Sequence, residues 1–364
     1  MLAPVLPLVV DRLGLGLAAA GFLGSAFSLT NLVQPLLGLW ADRMRRRWLV
    51  LAGLALTALF MPLLGVAPGY WSLVFILTAG GFGVAAFHPQ VASLVGDLSG
   101  DRRAFGISLF VFGGTLGLGL TPFWVPAIAS RVGLAFLPFL SIPGVILFFV
   151  VWRLVPLDNP QFESRKLTTW RASFDGRGWA LTYLTFVVTM RTMTNLSIGY
   201  FLTMLYRERG FGLVEGAIPL GIYNISAVLG GLLLGYCADR TKPKPLVWGS
   251  ILLSAPALYG WLHTDGTLSL VLLALGGALI LGSNPITVAM AQQLAPKNAA
   301  FASGLPLGFS WGIAGLLLVP IGYVAEQIGV ANTLSYLALL PLVTGLLAIR
   351  LPTIGAEPRV QRGK

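Results

Sequence analysis

The sequence predicts an all-α integral membrane protein built from two related halves, and three observations carry that expectation. Hydrophobic residues make up 56% of the 364-residue chain and charged ones only 10%, against roughly 25% charged in an average soluble domain. The apolar residues fall into runs of about 20, the length that crosses a bilayer core of about 30 Å. Two polar junctions between such runs are copies of one motif. Gly38-Leu39-Trp40-Ala41-Asp42-Arg43-Met44-Arg45-Arg46-Arg47 returns 197 positions later as Gly235-Tyr236-Cys237-Ala238-Asp239-Arg240-Thr241-Lys242-Pro243-Lys244. A second register, offset by 196, pairs His88-Pro89 with Asn284-Pro285, Ala104-Phe105 with Ala300-Phe301 and Gly133 with Gly329. Such internal repetition marks transporters assembled from two halves.

The elements follow in order. Residues 1–10 are an apolar stub whose helical rise of about 15 Å is too short to span. They lack the basic leader and small-residue cleavage site of a signal peptide. The economical expectation is that the chain begins midway through transmembrane helix 1, the alternative being a genuine eleven-span protein. Full spans are expected over 15–40, 47–66, 70–95, 104–128 and 133–153. After a polar interval they resume over 179–201, 213–238, 246–263, 266–292, 300–323 and 331–351. The 23 Pro and 45 Gly lie mostly inside these runs, which membrane helices tolerate better than soluble ones do. The expected fold is thus two six-helix bundles: 1–153 (helix 1 incomplete) and 179–351. A cytoplasmic linker, 154–178, joins them, and a basic cytoplasmic tail, 352–364, follows.

Charge sets the topology. If the 43–47 loop is cytoplasmic, alternate loops and the tail carry 19 of the 24 basic residues, and the opposite side has only Arg12, Arg131, Arg207 and Arg209. This is a positive-inside pattern, so the net charge of +11 reports orientation in a cell inner membrane and contact with anionic lipid, not nucleic acid. A single cysteine, Cys237, excludes an internal disulfide and a multi-Cys metal site. No Cys/His cluster, intramembrane acidic pair or Gly-x-x-x-x-Gly-Lys loop is present, so neither an enzyme nor an ATP-driven pump is expected. No cofactor or metal is expected, and the partners are a small-molecule substrate and membrane lipid, with the chain acting as a monomer.

The doubled Gly-x-x-x-Asp-Arg-x-(Arg/Lys)-x-(Arg/Lys) loop, with six spans to each half, resembles the major facilitator superfamily over nearly the whole chain. Finer details are similar to its fosmidomycin-resistance branch of efflux proteins. These are Ala86-Phe87-His88-Pro89, the segment Ser283–Leu294, then Ala302–Leu305 and Gly308–Gly312, and an arginine, Arg191, early in the second half. Gln90 departs from the branch, where Glu is usual, and the His and Asp usual in the outer part of helix 1 are absent. The resemblance implies proton-driven export of small molecules, with protons as the coupling ion; lacking those two residues, the chain leaves the coupling open. Similarity at this level leaves the substrate open as well.

Candidate site residues sort by position. Asp42 and Arg43 at the end of span 2 face the N-terminal end of span 11, where a carboxylate is favoured by the helix dipole. Asp239 and Arg240 are the mirror latch near the start of span 5. The plainer alternative is a solvated charge cluster that fixes topology. Arg191 lies about 18 Å from either end of span 7, where a charge costs at least about 2.5–3.5 kcal/mol. With every acidic residue in a loop or near a span end, it points to an anionic or strongly polar substrate, or else to a buried arginine bonded to backbone carbonyls. Asn195 at i+4, Asn31 and Gln34 on span 2 and Asn224 on span 8 are further substrate-binding candidates, or interhelical hydrogen-bonding groups. His88 is a proton-relay candidate, but its partner Asn284 shares only the following proline. Paired helix kinks at Pro89 and Pro285 are therefore favoured. Gly113, Gly114, Gly117 and Gly119, ahead of Pro122, allow close helix approach.

The expectation is a secondary carrier working by alternating access, with proton-coupled efflux of a small drug-like or anionic solute. Uptake or exchange of an organic anion or sugar phosphate is the alternative on the same fold. A non-transporting fragment or membrane receptor is the alternative of another class.

Overall fold

A computed structural model describes residues 2–41, 46–98, 103–155, 177–238, 240–295 and 299–353. All regular structure among them is helical. The short helix α1 (Leu2–Leu13) precedes α2 (Leu17–Leu29), which continues through a 3₁₀ turn into α3 (Gln34–Ala41). Next come α4 (Arg46–Phe60) with a 3₁₀ extension to Val66, α5 (Tyr70–Leu98), α6 (Arg103–Val132) and, after a 3₁₀ stretch, α7 (Ser141–Leu154). The second half holds α8 (Gly178–Glu208), α9 (Leu213–Ala238), α10 (Pro243–Leu262), and the broken pair α11 (Gly266–Gly282) and α12 (Asn284–Leu294). Its last rods are α13 (Ala299–Gly304), a π-helical turn Leu305–Phe309, α14 (Ser310–Leu316), α15 (Leu318–Ile328) and α16 (Val330–Ala348).

Among the described residues, ten helical stretches are long and apolar enough to cross a membrane. Helix α8 is not one of them, although its 31 residues rise about 46 Å. Its polar load, Thr185, Thr189, Arg191, Thr192, Thr194, Asn195 and Ser197, lowers its hydropathy. Polar groups at membrane depth are costly and mark functional sites.

The outer surface is apolar as well as the core. On α5, Trp71, Phe75 and Phe82 are exposed at helical spacing, a stripe suited to lipid. The repeat survives in backbone conformation. Gly133 and Gly329 both end a helix at positive φ, 77° and 84°, a region that costs a residue with a Cβ but not glycine.

Packing between the halves differs at the two ends of the molecule. At the end opposite the basic loops, one hydrophobic cluster draws on both halves: Val5, Leu6 and Val9 of α1, Leu23, Leu73, Val125, Phe201, Leu205, Leu318 and Leu334. At the basic end, two separate clusters appear. One is Leu184, Val188, Ile251, Met290 and Leu294 in the second half, and the other is Val50, Leu51 and Leu94 in the first. Between them, α2–α3 and the α13–α15 rod are sealed by a ladder of Gly304, Gly308, Gly312, Gly315 and Gly322. A Cβ on Gly315 would lie 2.1 Å from Ser28 Cβ, and one on Gly322 2.5 Å from the Leu17 carbonyl oxygen. On the other flank α6 packs on α9, with Gly119 against Ile225 and Gly221 against Phe123.

Candidate functional site

The site forms around Arg191. Its side chain is 0% exposed near the middle of α8, and an uncompensated charge there needs hydrogen-bond partners. Nη1 donates to Ser283 Oγ at 3.0 Å and Nη2 to Asn284 Oδ1 at 2.9 Å. Both acceptors are neutral, and Nε has no partner. One turn along α8, the buried Asn195 accepts a hydrogen bond from the Tyr223 hydroxyl of α9 at 2.8 Å. Four elements therefore converge on one cation: α8, α9 and both sides of the α11–α12 break.

The break has a local cause. Ser283 closes α11 and stands as the residue before α12, and Pro285 follows in the first turn of α12. Proline is favoured there, since its missing N–H would have no helical partner anyway. The first bond of the new helix runs from Thr287 N–H to the Ser283 carbonyl at 3.0 Å. The helix interruption thus delivers the two side chains that hold Arg191. By contrast, α5 is continuous through His88 and Pro89.

His88 occupies the place in the first half that Asn284 occupies in the second. It lies on the interior side of α5 with Leu77, Gly81 and Ala85, all buried, and away from the lipid-facing stripe, yet it is itself exposed. Its ring meets Phe87 and Phe110 edge-on, with centroids 5.9 and 5.8 Å away. The imidazole therefore sits on the interior side of α5, against Phe110 of α6.

The other expected site residues fall elsewhere. Asn31 and Gln34 are buried, with Gln34 Nε2 donating to Asn31 Oδ1 at 2.7 Å. Both pack on Gly308 in the α2–α3 seam. Asn224 is buried beside Gly119, in the α6–α9 seam. Gln90 donates to the Leu37 carbonyl at 3.1 Å. Asp42, Arg43 and Asp239 lie outside the described residues, as do 156–176 of the linker and 354–364 of the tail. Arg240 folds onto its own helix end, donating to the Tyr236 carbonyl at 3.3 Å with its guanidinium 3.5 Å over the Tyr236 ring.

Sequence reasoning passed over Ser283 and Tyr223 as partners. The Ser-Asn-Pro run carried a usable signal, because it is a helix-start signature inside an apolar span. It also passed over the contacts that join the halves at the non-basic end. Arg207 of α8 pairs with Asp11 of α1, and Thr203 Oγ1 donates to the Ala3 carbonyl at 3.0 Å. The Ala18 N–H at the start of α2 donates to Glu326 Oε1 of α15 at 2.9 Å.

Among known proteins, the family profile described as Major Facilitator Superfamily matches residues 1–319. The chain belongs to the Major Facilitator Superfamily. It is a multi-pass membrane protein of that superfamily of secondary transporters. Relatives within it include the fosmidomycin resistance protein of Escherichia coli, 24% identical over 363 residues, covering 97% of this chain and 88% of the relative. The multidrug resistance protein MdtG of Escherichia fergusonii is 26% identical over 295 residues, covering 76% and 72%. Two solved transporters of the superfamily share the fold. A bacterial homolog to the human lysosomal transporter Spinster, inward-facing and unoccupied, superposes with a TM-score of 0.70 at 15% identity, covering 96% of this chain and 92% of the other. The Escherichia coli fucose:proton symporter gives 0.65 at 17% identity, covering 91% and 90%.

Proposed function

We propose that this superfamily member exports a small anionic solute by alternating access, driven by protons moving the opposite way. The observation that carries the reading is the buried, acid-free guanidinium of Arg191, held only by neutral groups in the middle of a polar helix. An anionic ligand group would offset its uncompensated charge. The resistance proteins among the relatives favour export, and His88 supplies an imidazole, a side chain able to carry a proton, from the equivalent position of the other half. The bundles 1–153 and 179–351 rock against each other about this site, with the basic loops in the cytoplasm. Asp42 with Arg43, and Asp239 with Arg240, latch the cytoplasmic end when it closes.

Proteoliposomes with an imposed pH gradient test the reading, with fosmidomycin as the probe anion. Wild-type protein is expected to move the probe against its gradient when protons flow the other way. Arg191→Gln is expected to abolish that flux, and Arg191→Lys to restore it only at high probe concentration, since an ammonium cannot hold two acceptors as a planar fork does. Full activity in the glutamine variant refutes Arg191 as the source of anion selectivity.

A further inference from the structure

The guanidinium is sealed from any solute, but the residue in front of it is not. Arg191 is 0% exposed, and a ligand could reach it only by breaking its bonds to Ser283 and Asn284. Asn284 is only partly buried. It is the first residue of α12 and shares a helix face with Thr287 and Ala291, both wholly buried. Its free surface therefore opens toward the interior of the helix array. Its repeat counterpart His88 is exposed on the interior face of α5.

The chemistry then fixes which way the Asn284 amide points. A guanidinium carries donors only, so it accepts no bond from an amide NH₂ and can meet only the amide oxygen. With Oδ1 held by Nη2 at 2.9 Å, the Nδ2 donors turn away from Arg191, and among the described residues they meet no acceptor. The cation also draws charge from the amide it grips, which strengthens the outward N–H donors. Two further features favour negative charge at this point: the N-terminal end of the eleven-residue α12 and the buried Arg191 Nε that lacks a partner.

We propose that Asn284 is the specificity-determining contact for the transported anion, its Nδ2 donating to a carboxylate, phosphonate or similar acceptor group. Arg191 is then a positioning residue. It locks the amide orientation and supplies positive potential from one layer behind. This step rests on the anion-carrier reading above and changes which side chain touches the solute. A solute presenting an uncharged donor at the same point meets donor against donor and is rejected.

The test measures fosmidomycin flux into proteoliposomes, with thermal melting of the same preparations. Asn284→Ala is expected to raise KM about tenfold or more while Vmax stays within about twofold, the pattern of lost ground-state binding. Asn284→Asp keeps a partner for Arg191 but offers no N–H. It is expected to melt no lower than wild type and to lose flux at low probe concentration. Arg191→Lys is expected to raise KM with Vmax retained, because one acceptor can still be held. If Arg191 grips the anion itself, Asn284→Ala frees Nη2 and KM stays the same or falls. That result, or wild-type flux in Asn284→Asp, overturns this step and leaves the anion-carrier reading standing. Absence of probe flux in the wild-type protein overturns that reading, and this step with it.

Discussion

Replacing Gly322 with alanine tests whether the close approach of α2 and α15 holds the non-basic end shut. The added Cβ would lie 2.5 Å from the Leu17 carbonyl oxygen and 3.0 Å from the Ala18 Cα. Both are backbone atoms, so no rotamer change relieves the overlap. The helices must separate by about half an ångström to bring the closest contact out to 3.0 Å. Overpacking of this kind costs about 1–3 kcal/mol, and it burdens only the state in which the seam is closed. The Ala18–Glu326 hydrogen bond, one turn beyond Gly322, weakens in the same movement. A penalty of that size shifts a conformational equilibrium about 5- to 150-fold toward forms open at that end. The readout is a cysteine replacing Val9, which is 0% exposed in the shared core, in a Cys237→Ala background. Its maleimide labelling rate tracks the open population and is expected to rise by that factor, with the melting temperature little changed. An unchanged rate in a folded variant would falsify the idea that this seam sets the closed state.

Two further outcomes are expected. Tyr223→Phe removes the donor to the buried Asn195 Oδ1, leaving an unsatisfied acceptor at about 1–3 kcal/mol. The melting midpoint should fall, and adding Asn195→Leu should recover part of the loss; strictly additive losses in the double variant would mean the two side chains are not coupled. Single cysteines from Arg45→Cys and Lys242→Cys, each in a Cys237→Ala background, should resist impermeant thiol reagents in intact cells. Labelling from outside at either position would overturn the positive-inside orientation.

The membrane fold was legible because its signals are strong and local. A bilayer demands long apolar runs, and a duplicated loop at an offset of 197 residues marks two halves. The repeat pairing of Gly133 with Gly329 held down to the backbone, since both carry positive φ at a helix end. Arg191 stood out from its cost alone. Its partners did not, because Ser283 and Asn284 lie some 90 residues away, and hydropathy patterning says nothing about which helices touch. Asn31 and Gln34 were candidates for either a substrate site or an interhelical hydrogen bond, on their polarity. Polarity, however, does not separate a cavity wall from a helix seam, and the deciding neighbour was a glycine, Gly308, on another helix. The Asp11–Arg207 and Ala18–Glu326 contacts were equally hidden, as each depends on the two halves having closed at that end.

The two halves share a scaffold but not a chemistry, and the proton-for-anion exchange proposed above would require that difference. A strictly symmetric pair of walls would present the same group to the solute twice and could not distinguish a proton from an anion. Here the equivalent interior positions carry an exposed imidazole in one half and, in the other, an amide whose oxygen is held by a buried cation. On the proposed reading, a proton taken up by His88 would add positive charge to a space biased positive by Arg191, and the two charges would repel at moderate dielectric. An anion bound at Asn284 screens that repulsion, and its departure restores it. In the reading proposed here, solute and proton thereby influence each other through the central space without touching, and the coupling is reciprocal as linkage demands. His88→Asn would make the two walls alike, and on this argument it removes the coupling while leaving downhill movement of the anion intact.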